Sequence, residues 1–376
     1  MPRLTRTEAS LPATWYFDDD HYTRELEAVW YREWVCVGRL EEIANPGDFF
    51  IARIGTQSLI VTRDRDGAPR AFHNTCRHRG SILCAGERGH FAGGRIVCPY
   101  HSWTYSLTGE LVATPVRLEC EDFHVENYPL YAAHIGTWGG YLFVNLAEAP
   151  AQTLQEFLGH EAGNVESWPL ADMVTVQRGR TTLACNWKIF WENYSECYHC
   201  PRIHPELCRI VPLYKRGTFT QADFDGSKAA ATGGDGQPRL AAGYRTWTMD
   251  GQSRLPEIAG AADALDGAGM AFASFTGSMF IVAHVDYVRS VHVLPRGPEE
   301  IEINVTWLLP RGAAETCADG IHPILELGRL IVQQDGQVCE INQRGQKSRR
   351  HEAGVLVPQE WALHEFHQWL RDRLAT

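Results

Sequence analysis

Two short runs in this chain pair a cysteine with a histidine: Cys76-Arg77-His78 and Cys98-Pro99-Tyr100-His101. Each offers one thiolate and one imidazole from a turn, ligand types that transition metals take readily. Two such loops can hold two metals asymmetrically, with the thiolates on one and the imidazoles on the other. Neutral imidazoles in place of thiolates leave such a pair less negative and raise its reduction potential. The same Cys2His2 set also fits a structural zinc ion.

A second constellation runs from Asn186 through Trp187, Lys188, Phe190, Trp191, Glu192, Asn193, Tyr194, Ser195, Glu196, Cys197, Tyr198, His199 and Cys200 to His204-Pro205. The spacing predicts a helix with Glu196 and His199 on one face, and His204 just past it where the chain turns at Pro205. Two histidines joined by a carboxylate from elsewhere would form a facial triad, leaving open positions on Fe(II) for dioxygen and substrate. Taken alone, the two histidines fit a structural role equally well. Cys197 and Cys200 have the spacing of half a zinc knuckle; they are read here as buried helix thiols.

The elements that must position these groups are legible in outline. Asp18-Asp19-Asp20 precedes an apolar series Tyr22, Leu26, Trp30 and Trp34 with the spacing of one helical face. From Phe49 to about residue 147 the pattern is one of short strands, such as Ser58-Leu59-Ile60-Val61-Thr62, separated by turns such as Asp66-Gly67. A boundary is expected near 150, followed by a helix around 153 to 159 and strands around 173 to 185. Residues 224 to 243 are dense in Gly and Ala and read as a loop or lid. Antiparallel strands are expected over 279 to 308, where Ile301, Ile303, Val305 and Trp307 alternate with Glu302, Asn304 and Thr306. A helix from Pro323 to about Ser348 and a second one close the chain.

The composition narrows the class. The 376 residues carry 46 acidic and 35 basic side chains for a formal charge of −11, with 44% hydrophobic and 11% aromatic residues. That length allows about two to three domains with sizeable cores. The acidic balance argues against nucleic-acid or anionic-membrane binding, and no apolar run has the length of a membrane span. No apolar signal region follows the first residues, so a cytoplasmic protein with mostly reduced cysteines is expected.

The stretch from Cys76-Arg77-His78-Arg79-Gly80 to Cys98-Pro99-Tyr100-His101-Ser102-Trp103-Thr104-Tyr105 closely resembles the Rieske iron–sulfur motif of ring-hydroxylating-type oxygenases. Ser102 stands where glycine is common, and the gap between the pairs is slightly long. The segment through His199 and His204 resembles the iron-binding helix of the same family, and Gln333-Gln334-Asp335-Gly336-Gln337 resembles its C-terminal ligand signature. The resemblance implies an α+β chain. Residues 1–35 would be a helical segment packing with the catalytic domain, 36–150 an all-β Rieske [2Fe-2S] domain, and 151–376 a catalytic domain with a helix-grip-like antiparallel sheet covered by helices.

It further implies that Cys76, His78, Cys98 and His101 hold a [2Fe-2S] cluster and that His199, His204 and Asp335 hold a mononuclear Fe(II), with Glu340 the alternative to Asp335. Dioxygen would be the cosubstrate, and NAD(P)H would act through a separate flavin/iron–sulfur reductase, since no dinucleotide fingerprint opens a strand–turn–helix unit here. Asn193 and Glu196 fall in the catalytic machinery, Glu196 as the acid that bridges an iron histidine to a Rieske histidine of a neighbouring subunit. That bridge implies a homotrimer closed head to tail.

Glu at position 196, with Cys197-Tyr198-His199-Cys200, is similar to the branch acting on quaternary ammonium compounds such as glycine betaine and carnitine. Trp191, Tyr194, Tyr198 and Trp247 are candidates for an aromatic cage around a cationic small-molecule substrate, or for plain core packing. A carboxylated substrate would also need a cation, for which Arg245 and Lys188 are candidates. The implied reaction is monooxygenation with oxidative N-demethylation. Alternatives are hydroxylation or dealkylation of an aromatic or heterocyclic compound, a Rieske electron carrier without oxygenase activity, and a zinc-stabilised binding protein.

Overall fold

A computed structural model of the chain describes residues 4–117, 121–217 and 239–375. The loop expected at 224 to 243 lies outside the described residues up to position 238. The chain forms two compact units: Met1–Val29 with Leu158–Thr376, and Trp30–Phe157.

The chain opens with strand β1 (Glu8–Pro12) and helix α1 (Asp19–Glu25). Asp18 caps α1, its Oδ1 accepting the His21 N–H at 2.8 Å. A π turn over Leu26–Trp30 follows. The helical series therefore stops at Trp30 and does not reach Trp34, because the first strand of the next unit begins at Val35.

Residues 30–157 are antiparallel β-structure. The strands are β2 (Val35–Arg39), β3 (Asp48–Ile54), β4 (Gln57–Arg63), β5 (Pro69–His73), β6 (Arg88–His90), β7 (Arg95–Val97), β8 (Thr104–Ser106), β9 (Leu111–Ala113), β10 (Ala132–Trp138) and β11 (Tyr141–Asn145). A seven-stranded sheet has the order β2-β11-β10-β5-β4-β3-β6, and β7-β8-β9 form a small second sheet. The Asp66-Gly67 turn between β4 and β5 is built by Asp64, whose carboxylate accepts the N–H groups of Asp66 and Ala68 while Gly67 takes φ +85°. A short helix α2 (Leu154–Leu158) ends this stretch.

In the larger unit, β12 (Met173–Leu183), β13 (Ala271–Phe275), β14 (Met279–Ala283), β15 (Val288–Gly297) and β16 (Glu300–Pro310) form an antiparallel sheet of order β12-β16-β15-β14-β13. Ile301, Ile303, Val305 and Trp307 are buried as their alternation requires, but Glu302 and Thr306 on the other face are buried too. Helices α3 (Trp187–Ser195), α4 (Cys200–Ile203), α5 (Pro205–Ile210), α6 (Ala261–Leu265), α7 (Arg311–Thr316), α8 (Ala318–Gln346) and α9 (Trp361–Leu374) complete it. Strand β17 (Ala353–Leu356) pairs with β1. Helix α8 begins five residues before Pro323, which therefore lies inside it and leaves out one i→i−4 hydrogen bond. Among the described residues, no helix is long and apolar enough to cross a membrane.

A buried ionic cluster locks α1 to α3. The Lys188 ammonium donates to Glu25 Oε1 at 2.6 Å, His21 Nε2 lies 3.0 Å from the same oxygen, and Trp187 Nε1 donates to Glu25 Oε2 at 2.8 Å. Lys188 and Glu25 have no exposed surface. Beside them Glu192 accepts from Tyr16 OH at 2.7 Å and lies 2.8 Å from His367 Nε2 on α9.

Candidate active site and metal centres

The two Cys/His loops are near copies of each other. Cys76 N–H donates to the Ser81 carbonyl and Gly80 N–H to the Cys76 carbonyl; correspondingly, Cys98 N–H donates to Trp103 and Ser102 N–H to Cys98. Gly80 and Ser102 both sit in the left-handed region, at φ +72° and +58°. Ser102 thus occupies a conformation that costs an L-residue about 1 kcal/mol or more, which is the physical reason glycine suits this position.

Both cysteines belong to the buried core of the β unit, among Ile60, Phe72, Ile96 and Tyr105. His78 and His101 sit at the rim, with Nδ1 atoms 3.1 Å apart. The ring of Trp103 stacks on His78 and that of Tyr100 on His101. Tyr105 OH accepts the Arg77 N–H at 3.1 Å, leaving its own hydrogen for Cys76 Sγ at 3.3 Å. Burial raises the Cys76 thiol, and Cys98 beside it adds to that shift. Sulfur donors in the core and converging nitrogen donors at the rim fit a two-metal cluster with one ligand type per metal.

The second constellation forms differently from the helical expectation. Helix α3 ends at Ser195, Glu196 is extended (φ −138°, ψ 165°), and His199 caps the separate helix α4. The Glu196 carboxylate causes the break. Its Oε2 accepts the backbone N–H groups of Tyr198 and His199, and its Oε1 lies 2.7 Å from His199 Nδ1. Cys197 and Cys200 are joined in a disulfide across the same turn, so they are not free helix thiols. Cys200 Sγ lies 3.9 Å from His199 Nε2 but is not available as a thiolate ligand.

Three donors converge here. His204 Nε2 lies 2.8 Å and His199 Nε2 3.4 Å from Asp335 Oδ1 on α8. Each imidazole is engaged at its other nitrogen, His199 Nδ1 by Glu196 and His204 Nδ1 by Gln334 Oε1 at 2.8 Å. Gln334 in turn donates to Glu206 at 3.1 Å. These partners hold both rings in the tautomer that presents Nε2 toward Asp335, as metal-ligating histidines require. Burial opposes charge on His199, but Asp335 and Glu196 outweigh it and push the imidazole up to about 9. Burial likewise opposes charge on Asp335, and the two histidines hold its carboxyl below the usual range. The donor set, two imidazoles and a carboxylate, fits a mononuclear metal. Glu340 is turned elsewhere, accepting the Ala184 N–H at 3.0 Å. Asn193 Nδ2 lies 3.4 Å from His199 Nε2.

The aromatic candidates separate. Tyr194 stacks on Phe280 with centroids 3.7 Å apart, its hydroxyl 2.7 Å from Ser274 Oγ, and Trp191 lies beside it. Trp247 is buried against Tyr214, Phe272 and His284. Tyr198 is 56% exposed and stands outside this buried aromatic group. The proposed cations are also elsewhere: Lys188 is consumed by Glu25, and Arg245 is exposed and paired with Glu257. Sequence proximity to the aromatics had suggested both. Tyr105 and Gln334, which touch Cys76 and His204, take positions that no local spacing marks.

The family profile described as "Ring hydroxylating alpha subunit (catalytic domain)" matches residues 161–376, and that of the Rieske [2Fe-2S] domain matches residues 33–129. The glycine betaine monooxygenase oxygenase subunit of Pseudomonas aeruginosa is 29% identical over 395 residues, covering 97% of this chain and 89% of that protein. The chloroplastic choline monooxygenase of Arabidopsis thaliana is 28% identical over 388 residues, covering 99% and 85%. A quaternary ammonium Rieske monooxygenase in complex with L-carnitine has the same fold (TM-score 0.73, 20% identity, 98% and 96% covered). So does naphthalene 1,2-dioxygenase from Rhodococcus sp. bound to indole (TM-score 0.74, 20% identity, 97% and 94% covered).

Proposed function

Because the chain belongs to the ring-hydroxylating alpha-subunit family and carries a Rieske domain, we propose that this Rieske-type non-haem iron oxygenase oxidatively N-demethylates a quaternary ammonium compound of the glycine betaine or carnitine kind. Its cofactors are a [2Fe-2S] cluster and a mononuclear iron, with dioxygen as cosubstrate. When bound, the iron activates dioxygen with electrons that originate from NAD(P)H and arrive through the cluster.

In this reading the cluster domain lies within 36–150, held by Cys76, His78, Cys98 and His101, and the iron domain within 151–376, held by His199, His204 and Asp335. Glu196 and Gln334 orient the two imidazoles through their Nδ1–H groups. Asn193 lies against His199 from the end of α3. The aromatic side chains Trp191, Tyr194 and Trp247 bind the trimethylammonium head and exclude water from it. One N-methyl C–H is hydroxylated, one oxygen atom of O2 entering the substrate and the other leaving as water; the carbinolamine then releases formaldehyde.

The observation that carries this reading is the His199–His204–Asp335 convergence, in a unit that also buries Trp191 and Trp247, together with relatives named for glycine betaine and choline. The electron path supports a homotrimer and a separate flavin/iron–sulfur reductase. A structure of this fold is described as giving insight into carnitine oxidation and inter-subunit electron transfer, and in this reading Glu196 is the bridging acid. The test is oxygen uptake with trimethylammonium compounds, NADH and a reductase, with one formaldehyde per O2. Turnover of an aromatic ring compound with no response to any ammonium compound would reject the substrate class.

A further inference from the structure

Arg289, on β15, is 4% exposed. Its Nη1 donates to the Gly328 carbonyl of α8 at 3.3 Å, and its Nε has no hydrogen-bond partner. No carboxylate forms an ion pair with it among the described residues. The other buried lysine or arginine among the described residues of this unit, Lys188, is matched by Glu25. Asp335 acts on Arg289 only through its field, since the Asp335 carboxylate faces His199 and His204. A guanidinium taken out of water without an anion is costly, and its fork of donors suits a carboxylate above other partners.

The room for it is built in. A Cβ at position 328 would stand 2.9 Å from Arg289 Nη1 and 3.3 Å from its Cδ, so the glycine of α8 is what lets the guanidinium lie there. The fields of Tyr194 and Tyr214 also reach Arg289. Tyr214 meets Trp247 edge to face at 6.3 Å, and Trp247 Nε1 is a second buried donor without an acceptor. Buried aromatic faces, which attract a quaternary ammonium, and a guanidinium without an anion, which attracts a carboxylate, thus belong to the same unit of the chain.

We infer that Arg289 anchors a substrate carboxylate, so that this oxygenase takes carboxylated quaternary ammonium compounds in preference to amino alcohols. The inference rests on the quaternary ammonium reading given above. Arg289 is a specificity-determining residue here and takes no part in the oxygen chemistry. Choline, which lacks an anion, would leave the guanidinium as unpaired as before.

The test compares glycine betaine, L-carnitine and γ-butyrobetaine with choline on the metal-replete, full-length enzyme, by oxygen uptake and by calorimetric binding. The carboxylated compounds are expected to bind and turn over, and choline to do so at least roughly 30-fold less well. Arg289→Gln should raise KM for the carboxylated compounds by a similar factor, erase their advantage over choline, and keep iron and sulfide content unchanged. Arg289→Lys, which keeps the charge but not the fork, should fall between, and it stands in if the glutamine variant does not fold. Equal or better use of choline by the wild type would overturn the inference while leaving the substrate class intact. Discrimination undiminished from the wild type in either variant would do the same. Failure of all four compounds, with turnover of an aromatic one, would instead reject the reading beneath it.

Discussion

His204 Nε2 and Asp335 Oδ1 meet at 2.8 Å across 131 residues of chain, and His199 Nε2 points to the same oxygen. The α4–α5 turn and helix α8 are thereby brought to one point. Asp335→Asn or His204→Ala should therefore lower the iron content from about three to about two atoms per chain while two sulfides remain. Glu340→Gln should leave three irons and cost about 1 kcal/mol or less, because the amide oxygen can still accept the Ala184 N–H. Iron and acid-labile sulfide assays on anaerobically purified protein check both; loss of iron in Glu340→Gln would reassign the third ligand.

Glu196 serves two local donors and one imidazole at once. Glu196→Gln should keep both metal centres and nearly abolish turnover, because the amide can no longer accept from two imidazoles as a carboxylate does. Metal analysis beside steady-state oxygen uptake decides the matter, and unchanged activity would remove Glu196 from the electron path.

Tyr105→Phe removes the hydroxyl that donates to Cys76 Sγ. A donor to a ligating sulfur stabilises the reduced, more negative cluster, so its loss should lower the reduction potential. A hydrogen bond of about 1 kcal/mol corresponds to roughly 40 mV for one electron. Redox titration of the visible spectrum reads the shift.

Ser102→Gly should stabilise the β unit by about 0.5–1 kcal/mol, the relief of a left-handed serine less the extra freedom of glycine in the unfolded chain. Thermal unfolding measures this, with activity expected to be unchanged.

The Glu25–Lys188 pair has no exposed surface, so Glu25→Gln or Lys188→Met alone should cost about 3–5 kcal/mol. The double replacement by Met should recover much of that loss. Burial opposes the Glu25 charge, but Lys188 and His21 hold its carboxyl below the usual range. Its contribution is thus fully present above the unfolded value of about 4.3 and is lost as pH falls through the folded one. Denaturation of wild type and double variant between pH 7 and 3 should show the acid-dependent part shrinking in the variant.

The β unit and its cysteine–histidine pairs were legible because their signals are local: turn residues, period-two alternation and ligands a few residues apart. His199 and His204 were legible for the same reason. Asp335 came only from resemblance, as nothing nearby ties it to residues 131 positions earlier. The helix assumed through His199 failed because a Glu196 side chain that bonds its own following N–H groups ends the helix and builds a turn. Arg289 passed unnoticed since a single arginine in a strand carries no spacing. The clue available was its company, Val288, Ser290, Val291 and His292, a strand buried on both faces.

Helix α8 carries both Gly328, against which Arg289 lies, and Asp335. They are seven residues and so about 10 Å apart along the axis, on one face of a rigid rod. With a substrate carboxylate anchored by Arg289 as inferred above, this rod would work as a gauge, the carboxylate end of a bound molecule fixed at one mark and the iron-binding Asp335 at another. The number of carbon atoms between carboxylate and nitrogen then decides whether a methyl group reaches the second mark. Chain length in a betaine series should therefore be graded by the pitch of one helix.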